Sequence, residues 1–481
     1  MRHVTLAWML AATLPLMPLA GCASFPETRP LERVDAATGY RYANLADAGQ
    51  DEDLFVILTF SGGGTRAAAL AHGVLERLRD AWVEIDGERR NLLDEVDVIS
   101  SVSGGSFTAA YYGLHGDALF DPEGRFHRNF LYRDVEARLK RGLFNPYNWA
   151  RLASKTFGRI DIADEVYQDL LFDDADFGDL TARGRKPFLL INATDMAKGS
   201  RFTFVQSQFD PMCADLDRVT LSRAVAASSN FPVAFTPLAL NSYPGRCDYR
   251  EPAWVAAGLR DLEANPRRYY RARSLRDYQA PERRYVHLLD GGVADNIGLR
   301  YPLTAIRSTD VPWSVLRKIN LEQIDKLVVI VVDAKTQQVP DFDTSPRAPG
   351  LTQVVSNIAT TPMANYSFDT VELLRQTLRT RADAQQVSRE TTPPDEALHR
   401  VELYRIYVGF DQLQDEAQRE RFLSLPTTFR LPAGEVDDLR RIGGVLLERS
   451  PCFQSLVGGR YDEPACVQGV PSPSPGAAPS S

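Results

Sequence analysis

Two stretches of this chain follow the same plan. DLFVILTF (residues 53–60) is an apolar run, SGGGTR follows, and AAALAHGVLERLRDAW then spaces apolar residues as a helix does. VDVIS (96–100) is a second such run, and it leads through SVSGG into the helical pattern GGSFTAAYYGL. A run without polar alternation suits a strand buried on both faces, the usual condition of strands in a parallel sheet. Strand, glycine loop and helix, twice over, imply an α/β architecture. PFLLINATDM (187–196), RFTFVQ (201–206), YVHLLD (285–290) and KLVVIVVDA (326–334) read as further strands. With 481 residues, 44% of them hydrophobic, the chain has material for a large core.

Between these runs, residues 107–180 mix aromatic and charged residues and read as helices and loops that cap a site. LSRAVAASSNFPVAFTP (221–237) reads as a helix stopped by Pro232. Residues 246–284 hold ten Arg against six acidic residues, the composition of a solvated insertion or of a surface facing anionic lipid. SFDTVELLRQTLRTRADAQQVS (367–388) has the spacing of an amphipathic helix. No internal repeat is visible. The net charge of −8 is interspersed along the chain, which argues against a nucleic-acid binder.

The first residues, MRHVTLAWMLAATLPLMPLAGC, combine Arg2 with a short apolar stretch broken by Pro15 and Pro18. That reads as a secretory signal, too short and too interrupted to span a membrane. Leu19 to Cys22, LAGC, resembles a bacterial lipobox, which implies cleavage before Cys22 and lipidation of that residue. Ala23 follows, with no Asp to signal inner-membrane retention, so the expected location is the bacterial cell envelope, anchored in the outer membrane and facing the periplasm. Cys213, Cys247, Cys452 and Cys466 remain, and an exported protein can oxidise them. Nearness in sequence favours 213 with 247 and 452 with 466; no spacing resembles a zinc site.

Three loops carry candidate chemistry. In SGGGTR, successive glycines before a helix start free the backbone to approach an anion, be it a phosphate or a reaction oxyanion. Gly62, Gly64 and Ala67 also fit the dinucleotide pattern, with Glu84, Asp86 and Glu88 where a ribose-binding acid would stand. In SVSGG, Ser103 sits between small residues at 101 and 105, as a serine on a sharp strand-to-helix turn requires. In LLDGGVADN, Asp290 ends an apolar run and two glycines leave its carboxylate room. A nucleophilic serine needs a base and an oxyanion hole. His72, His115, His127, His287 and His399 are each better read as structural or surface residues, with His287 or His399 the base of an alternative triad. A Ser103–Asp290 dyad accounts for all three loops with the fewest assumptions.

These residues resemble the patatin-like phospholipase family. SGGGTR is similar to its D-G-G-G-x-R oxyanion loop, SVSGG to its G-x-S-x-G turn, ASSNFPVAFTP (227–237) to its A-S-x-A-x-P-x-x-F-x-P block, and DGG (290–292) to its aspartate motif. Ser61 and Ser101 stand where the family has Asp and Gly. The four matches run in the family's order across residues 53–335. The resemblance implies a three-layer α/β/α fold with a mostly parallel central sheet. It implies an acyl-ester hydrolase of phospholipase A or lysophospholipase type, with Ser103 as nucleophile and Asp290 as base. Gly62, Gly63, Gly64 and Gly104 would form the oxyanion hole, Arg66 would support it, and no metal or cofactor would be needed. The expected partners are a phospholipid or other acyl ester and, through Cys22, a membrane. A catalytically silent lipoprotein is the competing reading, suggested by Ser61 and Ser101. The expected organisation is a signal peptide (1–21), a lipidated tether (22–50) and a catalytic domain (51–340) with insertions at 107–180 and 246–284. A helical and strand extension packed on that domain (341–467) and a disordered tail (468–481) complete it.

Overall fold

Five apolar strands stack side by side in parallel at the centre of the molecule. They are β1 (Leu54–Phe60), β2 (Val96–Val102), β3 (Phe188–Asp195), β7 (Lys326–Asp333) and β8 (Glu402–Gly409). Every residue of β1, β2 and β3 is buried, which explains their unalternating composition. The short strands β4 (Ser200–Thr203), β5 (Leu238–Asn241) and β6 (Tyr285–Asp290) join antiparallel. The order is β8-β7-β1-β2-β3-β6-β5, with β4 beside β3. The computed structural model describes residues 23–45, 53–85, 87–232, 234–307, 324–337, 346–393 and 399–469. The expected signal peptide, Cys22 and residues 470–481 of the expected tail lie outside the described residues.

Helices cover both faces, which makes the architecture three-layered α/β/α around a mostly parallel sheet. The loop after β1 enters α1 (Gly64–Arg79), and the turn after β2 enters α2 (Gly104–His115). Residues 107–180 continue into three helices used below: α3 (Val135–Phe144), α4 (Pro146–Leu152) and α5 (Arg159–Tyr167). Phe107 of α2 stacks on Phe130, 4.4 Å between centroids, and meets Tyr167 of α5 and Phe429 edge-on. This segment is therefore packed into the core through its aromatic residues.

Four sequence expectations are revised. Residues 23–45 of the expected tether lie against the body: Tyr40 is buried, stacks on Phe188 and accepts a hydrogen bond from the Leu189 N–H at 2.7 Å. The helix expected at 221–237 ends at Ser228, so α6 is Leu221–Ser228, because Asn230 turns its amide to the carbonyls of Thr236 and Leu288. The amphipathic helix extends far beyond 367–388: α7 runs from Leu351 to Thr391, buries Met363, Ser367, Thr370, Leu374 and Leu378, and packs beside the turn that follows Asp290. The C-terminal region is continuous with the sheet, since β8 pairs with β7 over eight residues. Its helix α8 (Ala433–Arg449) crosses α1 so closely that a Cβ on Gly73 would lie 1.9 Å from the Arg440 carbonyl. Cys213 is joined to Cys247 and Cys452 to Cys466.

Candidate active site

Ser103 occupies the single residue between β2 and α2, with φ 49° and ψ −121°. Positive φ is costly for a residue with a Cβ and persists only where the surroundings enforce it. Here a polar scaffold does so. The Ser103 N–H donates to Ser228 Oγ at 2.9 Å, and Ser228 Oγ donates to the Asn192 carbonyl at 2.6 Å. Ser106 Oγ lies 3.0 Å from Ser228 Oγ and 3.1 Å from Ser101 Oγ. Ser101 is thus fixed by its hydroxyl at the place where a glycine is usual. Gly104 must be glycine, because a Cβ there would lie 2.1 Å from the Gly64 carbonyl.

Asp290 reaches the same point from β6. Its backbone N–H donates to the Asn230 carbonyl at 2.9 Å, and its carbonyl accepts from Thr194 Oγ1 at 2.8 Å. Its carboxylate accepts the Gly292 N–H at 2.7 Å and lies close enough to the Ser103 hydroxyl for that group to act on its pKa. The residue is 4% exposed. Burial pushes its pKa up from 3.8 to about 7, and the Gly292 N–H and the Ser103 hydroxyl moderate that rise. A buried carboxylate touching a strained serine, with a pKa near neutrality, is suited to accept a proton and return it.

The glycine loop closes the third side. Gly63 and Gly64 both have positive φ, 142° and 59°. A Cβ on Gly62 would lie 3.2 Å from Ser103 Cβ, so the loop borders the serine directly. The Gly62 N–H donates to the Asn296 carbonyl at 3.0 Å. That removes it from the expected donor set, because a committed N–H has nothing left to offer an oxyanion. Gly63, Gly64 and Gly104 remain, and among the described residues their N–H groups have no acceptor. The N-termini of α1 and α2 add partial positive charge at the same place.

Arg66 is buried and reaches three acceptors: Nε to the Ala334 carbonyl at 2.9 Å, Nη1 to the Leu425 carbonyl at 2.8 Å and Nη2 to Thr427 Oγ1 at 3.0 Å. The Thr65 N–H donates to the Thr428 carbonyl at 2.9 Å. Ser61 Oγ accepts the Ala334 N–H at 2.8 Å, so its hydroxyl ties the loop to the end of β7. The loop is thus held from both flanks by residues on the C-terminal side of the chain.

The histidines are placed elsewhere. His72 and His127 bond each other at 2.9 Å, His399 lies 3.2 Å from Asp325, and His287 is exposed on the face of β6 opposite Asp290. None of them bonds Ser103 or Asp290. The dinucleotide reading also fails. Glu84 lies on a short hairpin strand opposite Arg89, where a βαβ unit would need the end of a parallel strand; Asp86 lies outside the described residues. Among the described residues no cluster of three or more His, Cys, Asp or Glu side chains is arranged to hold a metal.

Sequence reasoning missed the residues that do the holding. Asn192 bonds Ser100 Oγ, the Ser101 carbonyl and Thr203, and so joins β2 to β3 beneath the turn. Asn296 inserts its carboxamide between the two motifs: its Oδ1 lies 2.6 Å from a Cβ built on Gly62 and 2.8 Å from one on Gly292. The one available signal was polarity inside an apolar run, in INATD of β3. A polar residue in a fully buried strand needs partners there.

No curated protein sequence matches this chain. Among solved structures, human GIVD cytosolic phospholipase A2 aligns at 13% identity with a TM-score of 0.40, covering 90% of this chain and 68% of that one. The same human enzyme in complex with methyl gamma-linolenyl fluorophosphonate gives 13%, 0.36, 85% and 60%. VipD from Legionella pneumophila gives 14%, 0.27, 81% and 67%. The family model for patatin-like phospholipases matches residues 58–303, which spans β1 to the helix after Asp290 and is more than half of the sequence. This chain therefore belongs to the patatin-like phospholipase family.

Proposed function

We propose that this protein is a serine acyl-ester hydrolase of phospholipase A or lysophospholipase type, working with a Ser103–Asp290 dyad at a bacterial membrane surface. The observation that carries the reading is the placement of the strained Ser103 beside the buried Asp290, next to unused backbone N–H groups. Ser103 Oγ attacks the ester carbonyl carbon while its proton passes to Asp290. The N–H groups of Gly63, Gly64 and Gly104 hold the negative oxygen that forms, a contribution of about 3–4 kcal/mol for each donor. Collapse expels the alcohol, a lysophospholipid when the substrate is a diacyl lipid, which takes the proton from Asp290. Water then attacks the acyl-enzyme with Asp290 again as base, and the fatty acid leaves. Family membership supports a lipid ester as substrate.

No helix among the described residues is long and apolar enough to cross a membrane. Attachment is assigned instead to Cys22, whose lipobox-like context implies an outer-membrane lipoprotein. Fatty-acid release from phospholipid vesicles tests the activity. Ser103→Ala is expected to lower the rate by about a thousandfold or more with an unchanged melting temperature; a folded variant that keeps turning over would refute the nucleophile.

A further inference from the structure

Residues 137–160 contain six basic residues and no Asp or Glu, in a chain whose net charge is −8. They form the hairpin of α3 and α4, which meet at Asn145, whose side chain caps α4 through the Tyr147 N–H at 3.1 Å. At its tip stand three aromatic residues that a folded core would normally bury. Phe144 is 72% exposed, Tyr147 69% and Trp149 58%. The Trp149 indole N–H donates to the Leu143 carbonyl at 2.9 Å, which fixes the ring on the surface. Lys140, Arg141 and Lys155 of the same segment are exposed, Lys140 at 3.7 Å from Glu136. Aromatic rings ringed by cations are the composition that settles at the headgroup level of a bilayer.

A second observation comes from the other end of the chain. The Ala23 carbonyl accepts hydrogen bonds from Ser154 Oγ at 2.6 Å and Thr156 Oγ1 at 3.3 Å, just past the end of α4. Ala23 directly follows Cys22, the residue expected to carry lipid. Ala23, next to the expected anchor, therefore lies against the same hairpin that carries the aromatic tip. The two roots of the hairpin, at Glu136 and Gly158, border the active site. Glu136 of α3 accepts from the Phe429 N–H at 3.2 Å, next to the Thr428 that holds the oxyanion loop. Gly158, beyond α4, packs on Thr236, whose carbonyl holds Asn230.

We propose that the tip of the α3–α4 hairpin, with Phe144, Tyr147 and Trp149 set among Lys140, Arg141 and Lys155, docks into the interfacial layer of an anionic phospholipid bilayer beside the Cys22 anchor. The assignment rests on the reading of the protein as a membrane-lipid hydrolase. It gives that reading a geometry: the rings enter the headgroup layer, the cations meet anionic phosphates, and the hairpin holds the site close to the bilayer from which an ester is drawn.

The test uses the full chain reconstituted in vesicles of phosphatidylethanolamine and phosphatidylglycerol whose acyl chains carry bromine. Bromine quenches tryptophan only at close range. The expected result is a quenched component in the wild type that is absent from Trp149→Phe. Phe144→Ser/Tyr147→Ser/Trp149→Ser is expected to hydrolyse a monomeric water-soluble ester at the wild-type rate and vesicle lipid at least about tenfold more slowly. Equal quenching in wild type and Trp149→Phe, or an unchanged vesicle rate in the triple variant, would overturn the assignment and point to a protein partner for this tip. Loss of quenching in Trp149→Phe by a wild-type protein that cleaves neither substrate would keep the docking surface and refute the hydrolase.

Discussion

Under the proposed mechanism Asp290 has two roles that pull in opposite directions. Its folded pKa of about 7 lies above its ordinary value of 3.8, so the native state holds the proton more tightly than the unfolded chain. The stability this gives is fully present below about pH 4 and is lost as pH rises through about 7. Catalysis needs the other form. Turnover should rise about tenfold per pH unit below 7 and level off above it, because only the carboxylate accepts the Ser103 proton. Asp290→Asn should therefore abolish turnover and yet raise the melting temperature relative to wild type at pH 8, with little difference at pH 4. Differential scanning calorimetry at the two pH values checks the sign. Arg66 offers a second comparison. Arg66→Lys keeps the charge but loses the fork that serves three acceptors, at a cost of about 2–3 kcal/mol, and should also slow acylation of Ser103. A melting curve together with a burst-phase rate separates the two effects.

The strands were legible at the scale of elements because burial on both faces removes polar residues from them; β1, β2, β3 and β7 stand within a residue or two of their expected places. The turns around Ser103 and Asp290 were legible because close approach demands small residues. Other elements were hidden for identifiable reasons. The first turns of α7 carry a proline and several small polar residues, so their helical spacing is weak in sequence. Residues 23–45 show no apolar periodicity, and Tyr40 and the Arg41–Asp210 pair fasten them to the body. The contact of α8 with α1 depends on the smallest side chain at one crossing. Gly73→Ala is expected to destabilise the protein by about 1–3 kcal/mol through overpacking, measurable by urea unfolding.

The molecule as a whole is organised around one sheet whose strand order reverses beside β1. Ligands of open α/β sheets settle outside the carboxyl ends of strands at such a reversal, and Ser61–Gly64, Ser103 and Ala334 all lie there. The sequence suggested a catalytic domain and an attached extension at 341–467. In the structure the extension supplies β8, two of the three acceptors for Arg66 and the Thr428 carbonyl that fixes the glycine loop. Which strand pairs with which is set by contacts far apart in the chain, and those leave no local mark in sequence. The dependence of the glycine loop on residues 425–428 follows from that pairing. The central claim is that Ser103 is activated by Asp290, and the most direct measurement is the rate of fluorophosphonate labelling across pH, with the adduct located by peptide mass. The account predicts an adduct on Ser103 whose rate climbs to a plateau above about pH 7 and collapses in Asp290→Asn. A folded protein that forms no adduct at Ser103, or one whose labelling is unaffected by Asp290→Asn, would contradict it.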